Sequence, residues 1–206
     1  MATPITHIVL TDKVFDKYFK DKNKKDFFIG TSFPDIRYIA DIKRKTTHLF
    51  NDEEENSFKA GMGFHCLIDK TWNKFVISNN NFILYSKLKN SVNDITSLKL
   101  LEDELLYGKI NNWKQYIKFF DEVLSDEFLF NIPEKKIEKW HKILKKYFLR
   151  KPNDSDRESF LKDLRFPKKT IDEMNHNINL MKNDQRIVQA IMGLYNDFES
   201  ILKKYD

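Results

Sequence analysis

The sequence predicts an all-α protein, a multi-helix bundle. Apolar residues recur near a 3.6-residue period along most of the chain. Gly and Pro number only five each in 206 residues, too few for a sheet of many short turns. Phe is abundant at 18, with eight Tyr and three Trp, enough to fill a helical core without disulfides.

Residues 5–20 open the chain as an amphipathic helix, with Ile8, Val9, Val14, Phe15, Tyr18 and Phe19 on one stripe. The run Phe27-Phe28-Ile29-Gly30 leads into Thr31-Ser32-Phe33-Pro34-Asp35. Pro34 biases Phe33 away from helix, which puts Asp35 on a bend. Residues 38–50 read as a polar connection holding His48. Asn51 and Glu54 have the spacing of an N-cap pairing, and a long helix follows through Phe64, Leu67, Ile68 and Trp72. Asn79-Asn80-Asn81 marks a break. Later helices are expected at 94–107, 111–126, 134–149, 155–164, 168–181 and 184–204. Gly108-Lys109, Asn131-Ile132-Pro133, Lys151-Pro152-Asn153 and Phe166-Pro167 separate them. One domain over 1–206 is expected, with a site-bearing core at about 5–90 and further helices over 94–206.

The lone Cys66 cannot form an internal bridge, and no secretory h-region follows Met1, so a cytoplasmic location is expected. Apolar runs fall short of the roughly 18–20 residues that span a bilayer. The net charge of +5 spreads 36 bases and 31 acids along the chain. The basic clusters at Lys22-Asn23-Lys24-Lys25 and Lys142 to Lys146 lack interleaved aromatics or a nucleic-acid motif, and solvated faces account for them.

His65 and Asp69 are spaced i, i+4 on the predicted long helix, so both project from one face and can grip one ion. Imidazole nitrogen with carboxylate oxygen suits zinc, and also iron or manganese. His7, Asp35 and His48 are separated positions that folding can gather beside them. The wording around these residues is Thr6-His7-Ile8-Val9-Leu10, then Gly30-Thr31-Ser32-Phe33-Pro34-Asp35, then Thr47-His48, then His65-Cys66-Leu67-Ile68-Asp69. Over about residues 5–72 this order resembles the zinc-dependent phospholipase C family, whose plan the single-strand-specific nucleases share.

The resemblance implies that Asp35, His48, His65 and Asp69 surround one zinc. It also implies that Asp69 bridges to a second ion ligated by His7. The family's third site needs two further histidines and an acid. Four residues after His141 stands Lys145, and after His176 stands Leu180, so that site is missing. One or two ions are therefore expected. The implied activity is hydrolysis of a phosphoric ester by a metal-activated water, on a phospholipid, a nucleotide or a small phosphodiester. Asp35 is the candidate proton acceptor, and Arg37 the candidate phosphate clamp. The alternative is a binding or scaffold protein that keeps the fold and a structural metal without turnover.

Blander roles are expected elsewhere. Cys66 is offset from the ligand face and reads as a small buried residue. Asp103, within Leu100-Leu101-Glu102-Asp103-Glu104, reads as a solvated helix acid, and His141 and His176 read as surface residues. No His-Asp dipeptide of the phosphohydrolase type occurs.

Overall fold

The structure is a computed structural model that describes residues 3–48, 56–78 and 92–205. Among these it is all-helical, with 12 α-helices and no strand. In chain order the helices are α1 (Pro4–Tyr18), α2 (Lys24–Ser32), α3 (Arg37–Ala40), α4 (Arg44–Thr47), α5 (Ser57–Ser78) and α6 (Val92–Leu106). They continue as α7 (Trp113–Phe119), α8 (Glu134–Phe148), α9 (Asp154–Asp163), α10 (Lys168–Lys182), α11 (Gln185–Asn196) and α12 (Phe198–Tyr205). Short 3-10 turns stand at Phe33–Ile36, Tyr107–Lys109 and Ser125–Phe130. Among the described residues no helix is long and apolar enough to cross a membrane.

The packing of α2 against α5 organises the first third. Asn23 caps α2 by accepting the Asp26 amide at 3.1 Å, and its own amide donates to Ser57 Oγ at 2.9 Å, tying the two helix starts together. Further along, the backbones touch. A Cβ added at Gly30 would lie 1.9 Å from the Phe58 carbonyl oxygen, and one at Gly61 would lie 2.0 Å from that of Phe27. Only glycine permits this approach at either position. The phenylalanines close around the crossing, with Phe27 against Phe15, Phe19 and Phe64, and Phe33 against Phe58.

Several sequence expectations change in the structure. Asp35 lies in the 3-10 turn Phe33–Ile36 and is buried, because Pro34 tolerates the first turn of a helical element that needs no N–H there. The stretch expected as a connection over 38–50 contains α3 and α4; Asp41, in the left-handed region at φ 60°, ends α3. The expected helix 111–126 stops at Phe119. Downstream, Glu127 accepts the Leu124 amide at 2.8 Å and pins a 3-10 turn instead. The expected helix 184–204 breaks at Asp197 into α11 and α12. Asn51, Glu54 and the Asn79-Asn80-Asn81 break lie outside the described residues.

Candidate metal centre

The site is built where α1, α5 and the turn after α2 meet. Thr3 caps α1 with its backbone only, and its carbonyl accepts both the His7 amide at 3.1 Å and His7 Nδ1 at 2.9 Å. Asp103, from α6, accepts the Thr6 amide at 2.7 Å and the Thr6 hydroxyl at 2.8 Å. A carboxylate 97 positions downstream thereby anchors the first turn of α1, where helix amides lack partners. On α5, His65 Nδ1 donates to the Thr31 carbonyl at 2.9 Å. That bond exists because the Gly30–Gly61 crossing brings the two backbones together.

Each Nδ1–H bond to a carbonyl fixes the ring's tautomer and leaves Nε2 with a lone pair. His7 Nε2 and His65 Nε2 are buried and have no hydrogen-bond partner, and His48 Nε2 shares that state. The His7 and His65 rings stack at 4.1 Å, and His48 stands edge-on to His65 at 5.1 Å. Facing the nitrogens are two buried carboxylates. His65 Nε2 lies 3.9 Å from Asp35 Oδ2 and 3.9 Å from Asp69 Oδ2. His48 Nε2 lies 4.0 Å from Asp69 Oδ2, and His7 Nε2 lies 4.0 Å from Asp69 Oδ1. These gaps exceed hydrogen-bond length and match what two donors on one ion can span, at most about twice a 2.0–2.2 Å bond. Three orphaned buried lone pairs opposite two carboxylates fit a divalent cation. His7, His65 and Asp69 form one such group, and Asp35, His48 and His65 another.

Electrostatics prepare the donors. Burial pushes the His65 imidazole down to about 3 and that of His48 down to about 4, and lowers His7 as well. All three rings are neutral near pH 7, as a ligand must be. Burial is the largest influence on Asp69 and opposes its ionisation, yet Lys99, His65 and His7 together overcome it and hold the carboxyl well below the usual range. Lys99 Nζ sits 2.9 Å from Asp69 Oδ1, and Arg44 Nη2 donates to Asp69 Oδ2 at 2.8 Å. Arg37 Nε lies 3.6 Å from Asp35 Oδ1, while its Nη2 donates to the Tyr38 hydroxyl at 2.6 Å. Arg44 is half-exposed, which places its guanidinium on the solvent side of the cluster, whereas Arg37 Nε is buried beside Asp35.

The five residues singled out as ligands, His7, Asp35, His48, His65 and Asp69, thus converge, with Arg37 at their edge. Cys66 does not join them; burial pushes its thiol up to about 12, far from the thiolate that binds metals. Two expectations for the second half are corrected. His141 is buried at 3 % exposure, with Nε2 2.8 Å from the fully buried Glu127 carboxylate, because the 3-10 turn folds over α8. Asp103 is likewise buried, as are Glu102 and Glu104, since α6 runs through the interior with neighbours on every side. His176 is exposed as expected.

Sequence reasoning passed over Lys99, Arg44 and Gly61. Gly61 carried a usable signal, being a glycine inside a helix four residues before the candidate ligand His65. Lys99 and Arg44 carried none, since each is one lysine or arginine among 36. Compared with protein-family models, curated proteins and solved structures, the chain matches none.

Proposed function

We propose that the protein is a metal-dependent hydrolase of phosphoric esters, with zinc as the ion. The observation that carries the metal is the set of three buried imidazole nitrogens, each without a partner, opposite Asp35 and Asp69. An ion there would be held by His48, His65, Asp35 and Asp69, with His7 alongside. When bound, it supplies polarisation of a water and of a phosphoryl oxygen.

The chain's own groups divide the remaining work. Thr3 and Thr31 hold two of the rings in the tautomer that presents Nε2. Asp35 is ionised, buried and beside the His65 nitrogen, where it can accept a proton from a water. Arg37 and the half-exposed Arg44 each stand next to one carboxylate and carry planar donors that match phosphate oxygens. The order of the five residues and its resemblance to the zinc-dependent phospholipases C support a phosphoric ester as the substrate class. Phospholipid, nucleotide and small phosphodiester all share the group these arginines would meet.

Elemental analysis of the purified protein, paired with turnover of bis(p-nitrophenyl) phosphate and p-nitrophenyl phosphate in added zinc or manganese, tests the proposal. Bound metal with turnover of either substrate is expected. Stoichiometric metal with no turnover under any condition would favour the scaffold alternative. The elemental analysis also weighs a competing observation: both Asp69 oxygens have cationic partners, Arg44 and Lys99, so charge at this carboxylate is compensated without an ion.

A further inference from the structure

The cluster offers two overlapping places for a cation. One lies among Asp35, His48 and His65, the other among His7, His65 and Asp69. They share His65, whose Nδ1 is committed to the Thr31 carbonyl, leaving a single lone pair on Nε2. One lone pair serves one ion.

The second place already has a positive charge. Lys99 reaches in from α6 and sets its ammonium 2.9 Å from Asp69 Oδ1, the same oxygen that faces His7 Nε2. The Lys99 side chain is only 7 % exposed, and its Nζ also lies 4.4 Å from the centre of the Trp72 ring, so neighbours hold it from two sides. The first place has cations beside it too, Arg44 on Asp69 Oδ2 and Arg37 at 3.6 Å from Asp35 Oδ1, but neither side chain is as buried as that of Lys99. Asp69 Oδ2 faces His48 and His65 there, and its bond to Arg44 uses only one of the oxygen's two lone pairs.

We propose that the cluster takes one divalent ion, on the Asp35–His48–His65 side with Asp69 Oδ2, and that the Lys99 ammonium holds the His7 side in place of a second. Lys99 is then a positioning residue that fixes both the count of ions and the way Asp69 points. The inference rests on the metal-binding proposal above, and its test separates the two.

Full-length apoprotein is titrated with zinc alone, with the number bound read by native mass spectrometry and the affinity by competition with a chromophoric chelator. The unmodified chain is expected to saturate at one zinc. Two would overturn the role of Lys99, and none would overturn the metal proposal itself. Lys99→Met keeps the unbranched stem, one atom shorter, and removes its charge. It is expected to bind zinc at least tenfold more tightly, or to admit a second ion at excess zinc, with its helical circular dichroism unchanged. A folded Lys99→Met chain that binds one ion with equal or weaker affinity would show that Lys99 merely buttresses Asp69. If that variant fails to fold, Lys99→Gln, which also removes the charge, is titrated in the same way and read by the same outcomes.

Discussion

Gly30→Ala tests whether backbone contact between α2 and α5 builds the site. Helix propensity alone favours alanine inside a helix by about 0.5–1 kcal/mol. The structure forecasts the opposite sign. The new Cβ would stand 1.9 Å from the Phe58 carbonyl oxygen, and that neighbour is backbone inside α5, which cannot rotate away as a side chain would. Restoring ordinary contact needs the helices to part by roughly 1.5 Å, a shift that overpacked cores resist at about 1–3 kcal/mol. The same shift stretches the 2.9 Å bond from His65 Nδ1 to the Thr31 carbonyl beyond reach. A buried hydrogen bond lost in this way costs about 1–3 kcal/mol. A net loss of about 3 kcal/mol is expected, which in a chain of this size lowers Tm by about 6–12 °C. Urea unfolding followed by circular dichroism gives the first quantity, and zinc content after dialysis gives the consequence for the site. Gly193→Ala is the matched control. Its Cβ would meet nothing within 4 Å, so propensity acts alone and a gain of about 0.5–1 kcal/mol is expected. A Gly30→Ala protein as stable as the unmodified chain, with its zinc retained, would refute the close-approach account.

Other perturbations bear on separate parts of the structure. His65→Ala and Asp69→Ala should each strip most of the bound zinc while Cys66→Ser keeps it; unchanged zinc in Asp69→Ala would sink the proposed centre. Asp35→Asn separates two roles: retained zinc with a rate reduced about 10²–10⁴-fold marks a proton acceptor, whereas lost zinc restored by excess metal marks a ligand. Burial pushes Glu102 up to about 8, against its one bond from Trp72 Nε1 at 2.5 Å, so the folded state holds this proton more tightly than the unfolded chain. The stability Glu102 contributes is therefore full below about pH 4.5 and is lost as pH rises through 8. Glu102→Gln keeps the acceptor for Trp72, and its advantage over the unmodified chain should grow by on the order of 4 kcal/mol between pH 4 and pH 9. A constant difference across that range would contradict it. His141→Ala leaves the Glu127 carboxylate buried with only the Leu124 amide, at a cost on the order of 3 kcal/mol, and should not change zinc content; zinc loss there would tie the second half of the chain to the centre.

The sequence by itself determined the helical class and singled out the five His and Asp residues that the fold brings together. The 3.6-residue stripes and scarce breakers are local signals, and local signals are what a single chain displays. The i, i+4 spacing of His65 and Asp69 likewise fixes a shared helix face before any folding is known. The order of His7, Asp35 and His48 around that pair pointed to a common centre, which the fold assembled. Burial was beyond its reach. Glu102, Asp103 and Glu104 look like a solvated acidic stretch, and His141 stands among lysines. Their interior positions depend on which elements surround α6 and α8, and composition does not record that. Lys99 and Arg44 became partners of Asp69 for the same reason. Asp69 meets Arg44 across 25 positions and Lys99 across 30, and nothing local marks either cation as different from its neighbours. Gly30 and Gly61 stand between the two cases. The place of Gly61 inside a predicted helix is visible in the sequence as a weakness, that of Gly30 only once α2 is seen, and only the crossing of α2 and α5 shows that these glycines let the Thr31 carbonyl reach His65.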